Sequence, residues 1–110
     1  MSDIRYDEVR RVPPAALNYA IWSAMSEGRF EPPEEMKGGA EEFAKLHQTD
    51  TEALGDFGRR AWAFICEQAA VGTDPAREAS ARRAIRHELP CLEDGLSEWL
   101  WNVAYRRAMM

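Results

Sequence analysis

A single all-α domain, a compact bundle of about five helices, is the fold this 110-residue sequence predicts. Three observations carry that expectation. Ala, Arg, Glu and Leu dominate, and these side chains lose little freedom on entering a helix. Val, Ile and Thr are few and rarely alternate with polar residues, so strand signals are almost absent. Helical stops and starts, such as Gly72 followed by Asp74-Pro75, recur along the chain. The length fits one domain over residues 1–110, and 45% hydrophobic residues can form a core without metals or disulfides.

The elements follow in order. A short helix over residues 3–11, capped by Ser2, is broken by Val12-Pro13-Pro14. Pro14 suits the first turn of the next helix, where its missing N–H has no partner anyway. That helix runs to about residue 27, with Gly28 as its stop. At about 100° per residue, Leu17, Ala20, Ile21 and Ala24 make one stripe, with Met25 at its edge. Tyr19 and Trp22 fall on the other side. Residues 29–39, rich in Pro and Gly, read as a loop pinned by Phe30 and Met36. A short helix over residues 40–47 would turn Phe43 and Leu46 or His47 inward.

Thr49-Asp50-Thr51-Glu52 fits a capping box, with Thr49 as cap. It opens a helix over residues 50–71. Leu54, Phe57, Ala61, Trp62, Phe64, Ile65, Cys66 and Ala69 cover an arc of roughly 200°, wider than the ~100° stripe of a surface helix. This helix is expected at the centre, packed on two sides. Gly55 and Gly58 cost it about 1 kcal/mol each relative to Ala. Close approach of a neighbouring helix would explain them. Beyond Gly72, Asp74 is read as a cap and Pro75 as first-turn residue of a helix reaching about Leu89, with Ala81, Ile85 and Leu89 inward and Pro90 ending it.

The last helix begins between Leu92 and Ser97. It contains Glu98-Trp99-Leu100-Trp101, and its two tryptophans cannot share one face. Leu92, Leu96, Trp99 and Val103 form the expected core stripe. Trp101 and Tyr105 then belong to the opposite face. Together with Tyr19 and Trp22 they are expected to meet a protein partner or a second copy of the chain, since aromatics are enriched at interaction hot spots.

Charge bounds the partners. The net charge of −5 argues against nucleic acid and against anionic membranes. No stretch approaches the ~20 apolar residues of a membrane span, and the first residues hold no apolar leader run. A soluble, cytoplasmic protein with reduced Cys66 and Cys91 is expected. Twelve of the fourteen basic residues are Arg, and Ala is abundant, a pattern of GC-rich bacterial or phage coding DNA. Residues 27–56 hold nine acids against three bases, which marks Glu31, Glu34 and Glu35 as an acidic surface for a basic partner.

Catalytic and metal motifs are missing from the sequence. His87 and Cys91 are four apart, but Pro90 lies between them and disturbs the turn. A tetrahedral site would need His47, Cys66, His87 and Cys91 at spacings that match no zinc module. There is no Glu-x-x-His pair, nucleophile elbow or phosphate loop. No metal, cofactor or catalytic residue is assigned. Function is expected to be non-enzymatic: a small acidic adaptor, regulator or inhibitor, such as a phage- or plasmid-borne inhibitor of a host system. One alternative is a helical nucleic-acid-binding regulator using Arg77, Arg82, Arg83 and Arg86, which could equally pair with Glu78 or Glu88. A small ligand-binding or catalytic helical domain is the other.

Overall fold

The computed structural model describes residues 9, 12–27, 34–46 and 48–109. Among them the protein is all-α, with no strand. Five helices follow in order: α1 (Pro14–Ser26), α2 (Lys37–Ala44), α3 (Gln48–Val71), α4 (Glu78–Glu88) and α5 (Asp94–Met109). A 3-10 turn, Glu34–Met36, leads into α2. Of the first helix expected over residues 3–11, only Val9 is described; it is helical and buried.

The wide apolar arc of α3 makes it the axis of the bundle. It packs against α1, α4 and α5, while α2 packs on α1. Leu54, Phe57, Ala61, Ile65 and Ala69 are fully buried along it. The helix opens at Gln48, so Thr49 lies inside its first turn rather than at the cap. Gly58 is where α1 crosses. A Cβ there would fall 2.4 Å from the Ala20 carbonyl oxygen, so no larger residue fits without parting the helices. Gly55 meets nothing closer than the Arg59 guanidinium at 3.5 Å, and close approach does not account for it.

The loop expected over residues 29–39 is corrected over 34–39. Gly38 and Gly39 sit inside α2, which starts three residues earlier than its sequence suggested. Gly39 is the crossing point on α1: a Cβ would meet the Ala15 carbonyl oxygen at 2.2 Å. The glycine pair therefore serves a helix contact, not a turn. With α2 in place, the second face of α1 is covered. Trp22 is 4% exposed. Tyr19 stacks on it with ring centroids 6.1 Å apart and meets Phe43 of α2 edge-on at 5.3 Å. The expectation that Tyr19 and Trp22 face a partner is corrected: Trp22 is buried, and half-buried Tyr19 packs on Phe43 of the short helix, which was expected over residues 40–47 but not at this close crossing.

α1 begins at Pro14, as proline in the first turn allows. It ends on Glu27, which takes the left-handed conformation (φ 55°) one residue before the glycine expected to do so. At the other end, Asp74 caps a turn rather than a helix. Its carboxylate accepts the Ala76 N–H at 3.0 Å, and α4 starts only at Glu78.

One buried polar residue joins distant parts of the chain. Asn18 is fully buried on α1. Its amide donates to the carbonyls of Pro14 (2.7 Å) and Cys91 (3.0 Å), and its oxygen accepts the Glu93 N–H at 3.0 Å. It thereby fixes the turn that aims α5. Leaving a buried polar group without its partner costs about 1–3 kcal/mol. Asn18→Ala is expected to lower stability by about 2–3 kcal/mol on those grounds. Asn18→Asp, which keeps the acceptor but loses both donors, should also fall below wild type. Urea unfolding of the two variants checks this.

Candidate functional site

The two tryptophans of α5 take opposite places from those their sequence stripe suggested. The buried face of α5 is Leu100, Trp101 and Ala104. Trp101 is 3% exposed and Trp99 is 46% exposed. The expected core stripe of Leu92, Leu96, Trp99 and Val103 is rotated to the flank. Leu92, Leu96 and Val103 are half-buried, and Trp99 projects beyond them.

The cause lies in what surrounds Trp101. Its ring lies over Gly72 at the end of α3; a Cβ on Gly72 would stand 2.5 Å from the indole. From α4, the Arg82 guanidinium covers the ring at 4.6 Å from its centroid. Arg82 is held in turn by Glu98 at 2.8 Å and Glu78 at 3.5 Å. Half-buried Tyr105 stacks behind, 6.4 Å between centroids. Trp101 is thus the peg that closes the α3–α4 turn onto α5. It is not accessible to a partner, which corrects the expectation for this residue. The sequence signal for this seat was available: Gly72 was read as a helix stop, and it also makes room for a ring.

The accessible face of α5 carries Trp99, Asn102, Arg106 and Met109. Met109 is 62% exposed. Three large hydrophobic residues are strongly exposed among those described, and two of them, Trp99 and Met109, lie on this face. The third, Val71, borders an open groove of about 640 Å³ between α3 and α4, where Phe64, Arg83 and His87 also line the walls.

The acidic candidates are less defined. Glu34 is exposed and pairs with Lys37 at 3.5 Å. Glu35 sits beside it in the 3-10 turn, and Glu31 lies outside the described residues. Both members of the Glu34–Lys37 pair are solvated, so Glu34→Lys is expected to leave the melting temperature almost unchanged in a thermal scan.

The arginines at the start of α4 and along it are largely matched by carboxylates. Arg77 pairs with Asp74 (3.7 Å), Arg82 with Glu78 and Glu98, and Arg86 with Asp94 (3.6 Å). Arg83 has no ion pair among the described residues and lines the α3–α4 groove. The four do not form a continuous cationic strip.

Cys66 and Cys91 are both half-buried. Burial pushes the Cys66 thiol up from its ordinary value, and the nearby Arg107 charge only partly opposes this. The thiolate is the reactive form, so alkylation of Cys66 by iodoacetamide is expected to be slow at neutral pH and to rise as pH is raised. Mass spectrometry of the labelled peptide checks it. Among the described residues, no group of three or more His, Cys, Asp or Glu could hold a metal ion. No described helix is long and apolar enough to cross a membrane.

Compared with protein-family models, curated proteins and solved structures, the chain matches none.

Proposed function

We propose that this protein acts by binding protein, as a small acidic adaptor, regulator or inhibitor, and that the outer face of α5 is its contact surface. One observation carries the reading: an indole that is 46% exposed on an otherwise well-packed helix, while the other three tryptophans are buried. An isolated domain gains little from leaving a tryptophan in water, whereas tryptophan anchors are over-represented at binding hot spots. Half-buried Leu96 and Val103, three residues before and four after Trp99, share its side of the helix.

The nucleic-acid reading is less favoured. Duplex binding draws on unpaired Lys and Arg that displace counterions, and three of the four candidate arginines, Arg77, Arg82 and Arg86, already face carboxylates.

The test is photo-crosslinking in the native host, with a benzoyl-phenylalanine replacing Asn102, which is exposed beside Trp99. The same group at exposed Ala79 on α4 is the control. A protein adduct from position 102 and none from position 79 is expected. Absence of a protein adduct at position 102, or adducts to nucleic acid there, would overturn the reading.

A further inference from the structure

We propose that the partner at this face is a second copy of the chain, with the two α5 helices packed antiparallel; this rests on the protein-binding reading of the Trp99 face. The exposed residues Trp99, Asn102, Arg106 and Met109 follow one another at spacings of three, four and three. That is the a/d seam of a heptad, the spacing with which two helices interlock. The seam is complementary to itself only in one sense. Trp99 and Met109 are ten residues apart, about 15 Å along a helix at 1.5 Å per residue. An antiparallel partner related by a two-fold axis at the level of Ala104 sets Trp99 against the second copy's Met109, and Met109 against its Trp99. The two exposed apolar side chains of this face then cover each other, a sulfur–aromatic contact made twice.

The polar residues agree with the same register. Asn102 meets the second copy's Arg106 beside the axis, where the amide oxygen can accept from the guanidinium. Arg106 has no ion pair among the described residues. It also comes within about one helical turn of the second copy's Glu98, an exposed carboxylate that at the same time holds Arg82 of its own copy at 2.8 Å. The acids of α5, Asp94 and Glu98, lie in its first half and Arg106 and Arg107 in its last turn. Antiparallel packing therefore brings unlike ends together and opposes the helix dipoles favourably. Parallel packing would set Arg106 against Arg106 and like ends side by side. Complementary charge of this kind fixes orientation more than affinity.

Sedimentation equilibrium of the full chain, from micromolar to near-millimolar concentration, tests the proposal. Wild type is expected to approach twice the 12.5 kDa chain mass as concentration rises. Trp99→Ala and Met109→Glu are each expected to raise the dissociation constant by roughly thirtyfold or more, the effect of losing a hot-spot anchor. Val71→Glu, at the exposed α3–α4 groove, should still dimerise. Thermal melts confirm that the variants fold. A wild type that stays monomeric throughout, or a dimer indifferent to both Trp99→Ala and Met109→Glu, overturns the self-pairing. If the crosslink at position 102 then captures a different protein, the binding reading survives without it. If no protein is captured there and the chain is monomeric, both fail.

Discussion

Trp101→Ala is expected to destabilise the protein by about 3–5 kcal/mol, the range for truncating a buried aromatic. Trp99→Ala, two residues earlier, is expected to stay within about 1 kcal/mol of wild type, as surface substitutions do. The asymmetry follows from burial: Trp101 is 3% exposed and enclosed by Gly72, Arg82 and Tyr105. Removing its ring also strips Arg82 of a cation–π contact and leaves a cavity where α3, α4 and α5 meet. Guanidinium unfolding at equilibrium, with both variants beside wild type, checks the difference. Equal losses would mean that α5 is buried on both sides.

The second large effect concerns a methyl group. Gly58→Ala should destabilise the protein by about 2 kcal/mol or more, as overpacking of a tight contact does, even though alanine is intrinsically the better helix residue by about 1 kcal/mol. The added Cβ would meet the backbone of Ala20, at 2.4 Å from its oxygen and 2.8 Å from its carbonyl carbon. Backbone cannot rotate aside as a side chain can, so α1 and α3 must move apart. Gly55→Ala, one turn earlier on the same helix, meets only the flexible end of Arg59. It should be neutral or stabilising. Urea melts of the two variants should therefore move in opposite directions; a shared direction would contradict the crossing geometry.

Much of the architecture could be read from the sequence, because helix punctuation and the arc of α3 are local signals. Pro14 opens α1, Gly72 closes α3 and the apolar arc of α3 places it centrally. The largest departures come from contacts between elements. Gly38 and Gly39 look like turn residues in isolation, and only the crossing with Ala15 makes Gly39 a helix residue. That reading starts α2 three residues late and hides its close crossing on α1, so Tyr19 and Trp22 look unpartnered in the sequence. On α5 the stripe of Leu92, Leu96, Trp99 and Val103 is a good amphipathic pattern. It lost the core to Leu100, Trp101 and Ala104 because Gly72 and Arg82 offer a seat for one indole. A helical wheel records which residues share a face but not which face has a neighbour. The role of Asn18 carries no local signal, since two of its three partners, Cys91 and Glu93, are more than seventy residues away.

We propose that Trp99, and not Trp101, is the tryptophan presented to a partner. Fluorine NMR of 5-fluorotryptophan-labelled protein, with a soluble paramagnetic probe added to a dilute sample, separates the two. Four resonances are available, one for each tryptophan, and Trp99→Phe and Trp101→Phe assign the two of interest. The signal of Trp99 should be the one broadened strongly by the probe, with those of Trp22, Trp62 and Trp101 nearly untouched. Strong broadening of the Trp101 signal while that of Trp99 persists would contradict the account.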